Sequence, residues 1–280
     1  KKFLKSTGPS FLEVKISEGT MKNLKRPRNL SEIKKHNSEL ISYDQKSLMT
    51  DGVILCNQTL EAHILSYGAS LCALRLKAVP YSLVLGYPRQ EDFEHHSGHF
   101  GAIAGPVANR ISGGRAQLGA KVLILETNEN GVNTLHGGTL GTGRRHWGIS
   151  ERTDTSVKLS LSLPNQALGL PGPLHLSCTY TITDDACLIL TLTADAEQNT
   201  LCNLASHPYF CLDNTGDIRH HSLMITAHHY LPVTDAKIPT GNIKPVAGTS
   251  FDYRSPRSLA AITEEKESPV DHCFCWEDRD

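Results

Sequence analysis

From Met49 onward the apolar residues come in short alternating runs, and Gly, Pro, Asn and Asp punctuate the gaps between them. Gly52–Cys56, Glu61–Leu65, Ser70–Leu76, Ser82–Leu85, Lys121–Leu125, Ser156–Leu163, Leu174–Thr183 and Cys187–Ala194 all read this way. A side-chain period of two puts alternate residues on opposite faces of a strand. No long segment of helical period interrupts the series. Closely spaced short strands with turn residues between them predict an all-β sandwich or barrel. The threonines and β-branched residues in these runs agree with that reading. No repeat of propeller or solenoid length is visible.

Composition then excludes several function classes. The 280 residues are 39% hydrophobic and 20% charged, which suits a folded core. A formal net charge of -1 supplies no overall field for nucleic acid or an anionic membrane. No apolar run is long enough to span a bilayer, and Lys1 and Lys2 precede no apolar block of a signal peptide. Eight cysteines lie at positions 56, 72, 178, 187, 202, 211, 273 and 275, mostly within strand-like runs, with no CxxC pair. A reducing, cytoplasmic setting is expected, in which the sequon at Asn57 stays silent. The glycine cluster Gly137–Gly143 lacks the residue order of a P-loop or a dinucleotide fingerprint. No cofactor and no metal is expected.

Residues 1–45 differ from the rest and read as an extension of separate origin, with the main unit at 46–280. Phe11–Ile16 alternates like a strand, Lys22–Arg28 is a basic loop, and Ser31–Leu40 suits a short helix capped by Ser31. Without interleaved aromatics the basic cluster reads as a solvated surface rather than a nucleic-acid patch. The run Gly8–Ile16 with Lys25-Arg26-Pro27 resembles the C-terminal tail of thiamine-diphosphate-dependent decarboxylases of the phosphonopyruvate type. It carries none of that family's cofactor-binding sequence and implies no thiamine chemistry.

The polar residues of interest sit within the β-pattern. His207 lies in Leu201–Leu212, which reads as a strand running into a turn, with Pro208 biasing it toward extended backbone. Imidazole is the side chain most easily poised to exchange protons near neutral pH. Asn109 and Arg110 place an amide beside a guanidinium, His136 precedes Gly137 and Gly138, and Asp271 precedes an apolar stretch. Such groups in a mostly apolar pocket suit sugar hydroxyls. Each also has a bland role: turn residue for Asn109, surface salt bridge for Arg110, loop residue for His136, strand-end cap for Asp271.

Taken in order, the segments resemble the aldose 1-epimerase, or galactose mutarotase, family. The resemblance is carried by Ser66–Leu71, Leu83–Tyr87, Phe100–Ile103, Ala108–Ile111, Leu135–Gly138, Trp147, Gly169–Gly172, Asn203–Phe210, Ile238–Gly241, Gly248–Asp252 and Asp271–Phe274. It implies a large antiparallel β-sandwich of the galactose mutarotase type and cofactor-free interconversion of the α and β anomers of aldohexoses. It assigns His207 as the general acid and Asn109, Arg110, His136 and Asp271 as sugar ligands. Two departures stand out. Pro106 replaces the arginine that usually precedes Ala-Asn-Arg. The family's general base is a glutamate well beyond the Asp-His-x-Phe motif, and no Glu here has that context; Glu277 lies too close to Asp271. The expectation is therefore a chain without its own base, a truncated homologue that epimerises aldoses poorly or not at all by itself. A non-catalytic sugar-binding module and a hexose-6-phosphate epimerase, with Arg144 and Arg145 for the phosphate, are the competing readings.

Overall fold

The alternating runs become strands in the computed structural model, which describes residues 10–15, 51–95, 98–213, 218–219, 221–260 and 271–275. The described residues fall into two compact units that divide between Phe210 and Cys211. In the first, β1 (Ser10–Lys15), β2 (Gly52–Cys56), β3 (Leu60–Leu65) and β4 (Leu71–Leu76) precede a short helix, α1 (Gln90–His95). Next come β5 (Ile103–Ala104), β6 (Arg110–Ile111), β7 (Arg115–Leu118), β8 (Lys121–Ile124) and β9 (Thr134–Leu135). The longer strands β10 (Gly148–Arg152), β11 (Ser156–Leu163), β12 (Leu174–Ile182) and β13 (Cys187–Ala196) follow, and then β14 (Ala205–Ser206).

Strands β10 to β13 form an antiparallel meander, and β1 adds to its other edge to give the order β1-β13-β12-β11-β10. Strands β2, β3 and β4 form a second antiparallel sheet. Burial explains the pattern. Along β12 the alternate residues Leu174, Leu176, Cys178, Tyr180 and Ile182 are buried, and β11 buries Val157 and Leu159. The other sheet contributes Val53, Leu55, Leu60, Ala62 and Ile64. A fully buried leucine contributes about 1.5–3 kcal/mol, so these faces fix the register. The sheets are tied by polar bonds as well: the Cys56 amide donates to Asp154 O at 2.7 Å and Asn57 Nδ2 to Thr183 O at 2.9 Å. The buried Tyr180 hydroxyl donates to Ala69 O at 2.9 Å, closing the turn between β3 and β4.

Two expected strands shrink. Ser82–Leu85 yields only a single bridge, Val84 to Phe210. The Ser82 hydroxyl bonds Val84 O and the Leu74 amide, taking over ladder positions. Leu201–Leu212 keeps only β14 as regular strand. The proposed helix at Ser31–Leu40 and the basic loop Lys22–Arg28 lie outside the described residues, as does Glu277. No helix among the described residues is long and apolar enough to cross a membrane. All eight cysteines are free thiols.

The second unit holds β15 (Ser222–Leu223), β16 (His229–Leu231), β17 (Lys244–Pro245), β18 (Arg257–Ser258) and β19 (Cys273–Cys275). Strand β16 is central between β17 and β19, and β15 pairs with β18. Buried Tyr230 stacks on Phe251 with ring centroids 4.3 Å apart, and Phe251 meets His272 at 4.5 Å. Arg257 lies over the ring of the buried Tyr253 at 4.9 Å, a cation–π contact.

Candidate functional site

His207 is placed by backbone. Strand β14 pairs with β5 immediately before it, the His207 amide donates to Ala102 O at 3.0 Å, and the Gly101 amide donates to His207 O at 3.0 Å. Both backbone groups of His207 are therefore fixed to the segment that leads into β5. Pro208 follows and restricts the backbone further. Tyr209 packs on the imidazole with centroids 5.1 Å apart, and Phe100 meets Tyr209 at 4.8 Å.

Asn109, Arg110 and His136 are assembled by the two-residue ladder between β6 and β9, in which Arg110 faces Leu135. At its end the His136 amide donates to Asn109 O at 3.0 Å, and the Asn109 amide donates to His136 Nδ1 at 3.1 Å. Nδ1 is thus an acceptor, so the neutral imidazole carries its proton on Nε2. Asn109 and His136 both hold the left-handed conformation, with φ of 64° and 52°. Such backbone costs on the order of 1–3 kcal/mol per residue and is typical of functional sites. The next residue has to be glycine: at Gly137 φ is +82°, and a Cβ would stand 2.1 Å from Gly105 O.

Arg110 is oriented by a carboxylate. Its Nε donates to both oxygens of Glu129, at 3.0 and 2.9 Å, and Nη2 donates to Oε1 at 2.7 Å. Nη1 donates to Asn109 Oδ1 at 3.3 Å. A guanidinium has five N–H donors. Those contacts engage three, leaving two N–H groups for a ligand. Asn133 Nδ2 supports Glu129 from the side at 3.3 Å. The Arg110 hydrogen bonds hold the Glu129 carboxyl below its usual range, against the opposing effect of desolvation.

A third imidazole completes the cluster. The ring of His99 lies 4.8 Å from that of His136 and 6.0 Å from that of His207, and His136 and His207 are 5.3 Å apart. His99 is pushed down to about 4, first by burial and then by His136, Arg144 and His207, and so is neutral at physiological pH. Proton exchange, amide and guanidinium donors and an aromatic wall can together hold a polyol and move a proton at one of its oxygens.

The sequence profile of the family described as aldose 1-epimerase matches residues 51–279. The chain belongs to that family. The chain is 34% identical over 220 residues to an Escherichia coli aldose 1-epimerase, an alignment that spans 75% of this chain and 63% of the relative. It is 37% identical over 227 residues to mouse galactose mutarotase, spanning 79% and 66%. Among solved structures, a C. elegans aldose epimerase homologue superposes with a TM-score of 0.72 at 32% identity, covering 79% of this chain and 67% of that one. The Lactobacillus acidophilus galactose 1-epimerase gives 0.70 at 27% identity, covering 78% and 65%. The chain thus spans about two thirds of the length of the relatives it matches, and its nearly all-β architecture is the β-sandwich of this family.

Of the residues singled out from sequence, Asn109, Arg110, His136 and His207 share the first unit and are linked by the contacts above. Asp271 belongs to the second unit, where it is exposed and stands just before β19. Arg110 does form a salt bridge, to Glu129, but one mostly withdrawn from the surface, and it orients the residue. Two members of the cluster escaped the sequence reading. Glu129 sits in the turn Asn128-Glu129-Asn130-Gly131, where a carboxylate looks like ordinary turn chemistry. His99 directly precedes the Phe100-Gly101-Ala102-Ile103 motif, and a histidine abutting a glycine-containing motif was the signal available.

Proposed function

We propose that this chain carries the sugar-binding and proton-donating part of a mutarotase site. His207 protonates the ring oxygen of an aldohexose while a base removes the proton of the anomeric hydroxyl. The C1–O5 bond breaks to give the open aldehyde, C1–C2 rotates, and the hydroxyl attacks the other carbonyl face with both proton transfers reversed. Arg110, Asn109 and His136 hold sugar oxygens. The observation that supports this most is the backbone-fixed His207 ring lying 5.3 Å from a His136 whose tautomer is set by Asn109.

The base is read as neither Glu129 nor Glu126. Glu129 is taken up by Arg110, and Glu126 accepts from the amide and hydroxyl of Thr139. General acid or base assistance is worth roughly 10²–10⁴-fold. The test is polarimetry of freshly dissolved α-galactose and α-glucose, and of galactose 6-phosphate, with this chain and with a version extended through the family's glutamate segment. The expected result is a rate for the extended chain at least about 10²-fold higher on the free sugars. Equal rates would place the base within residues 1–280. A preference for the phosphorylated sugar would point instead to Arg144 and Arg145.

A further inference from the structure

We infer that His99 is a substrate-contacting imidazole that sets which aldose the site prefers. This rests on the mutarotase reading and adds a residue to it. The ring lies in the same cluster as His136 and His207, at 4.8 and 6.0 Å between centroids. It is placed as firmly as they are: its carbonyl accepts from the Ala102 amide at 3.2 Å, and the Ala102 carbonyl in turn accepts from the His207 amide. The link from His99 to His207 is thus one short stretch of hydrogen-bonded backbone.

The orientation of the ring follows from what it packs against. Nδ1 is buried without a hydrogen-bond partner among the described residues. It faces Gly143, where even a Cβ would come within 3.5 Å of it. A buried N–H without an acceptor is rarer in folded proteins than an acceptor without a donor. Nδ1 therefore carries the lone pair and Nε2 carries the proton. His99 as a residue is only partly buried, and with Nδ1 enclosed Nε2–H is the edge left to donate. A neutral imidazole with one outward N–H donor, standing beside the His136 ring, is built to meet a neighbouring oxygen on the same polyol. A site arranged to hydrogen-bond a hydroxyl discriminates strongly against a sugar that lacks it, because the protein donor is left unpaired.

The experiment uses the full chain, with binding followed by saturation-transfer NMR and calorimetry. The probes are galactose, glucose and their 2-, 3-, 4- and 6-deoxy analogues. His99→Phe keeps the ring against Gly143 and removes the donor; His99→Gln keeps a donor. Thermal unfolding accompanies both, and His99→Gln carries the test alone should the phenylalanine variant fail to fold. The expected result is a loss of about tenfold or more in affinity for the hexose bound best by the parent chain. One deoxy sugar, weak with the parent, should bind the phenylalanine variant as well as its hydroxylated counterpart does. His99→Gln should recover part of the loss. Unchanged binding of every sugar, or an equal loss across the whole panel, overturns the role of His99 while leaving the mutarotase reading intact. A parent chain that binds none of the probes overturns both.

Discussion

Replacing Glu129 by glutamine tests whether an orienting ion pair underlies sugar recognition. The carboxylate accepts from Arg110 through Nε and Nη2 and from Asn133 Nδ2. The two side chains are 17% and 20% exposed, so the pair is mostly but not fully withdrawn from water. Breaking a fully buried pair costs about 3–5 kcal/mol. Partial exposure and the amide oxygen that glutamine retains reduce this to roughly 1–2 kcal/mol. The freed guanidinium should also lose its aim. A tenfold weaker sugar affinity, equivalent to about 1.4 kcal/mol, is expected. The pH dependence gives an independent readout. The folded-state pKa of Glu129 is depressed, so its contribution is present above the unfolded glutamate value of about 4.3 and is lost as pH falls through the folded value. Urea unfolding of Glu129→Gln and the parent should therefore show a gap at pH 7 that narrows under acid conditions. A gap that stays constant with pH, or an unchanged sugar affinity measured by calorimetry, would refute the reasoning.

Three further outcomes are expected. His207→Asn in the extended chain should lower mutarotation by about 10²–10⁴-fold in polarimetry, with a melting temperature close to that of the parent. Gly137→Ala should destabilise the chain by about 2 kcal/mol or more and weaken sugar binding, because a Cβ there meets Gly105 O at 2.1 Å; chemical denaturation and calorimetry check both effects. Tyr180→Phe should cost roughly 1–3 kcal/mol in urea unfolding by leaving the Ala69 carbonyl unsatisfied in the core, and should leave the relative affinities for different aldoses unchanged.

Local pattern was enough to read the larger strands. Ser156–Leu163 and Gly52–Cys56 run where the alternation placed them, because a buried face enforces a period of two. It did not suffice where hydrogen bonds come from side chains or from remote backbone. Ser82 took over ladder positions near Val84, and the segment around His207 is held by Gly101 and Ala102 rather than by a long strand of its own. The same division runs through the site. His207, His136, Arg110 and Asn109 could be picked out because their residue types and adjacent Pro or Gly are visible in the chain. The tautomer of His136, the Glu129 clamp on Arg110 and the approach of His99 were not legible, since each depends on residues 19 to 108 positions apart meeting through short strand pairings. Sequence fixes which groups are available and which face of a strand they occupy; only the tertiary contacts determine which nitrogen donates, which carboxylate is already engaged and which rings share one site, because those follow from distances of 3 to 6 Å that no local period encodes.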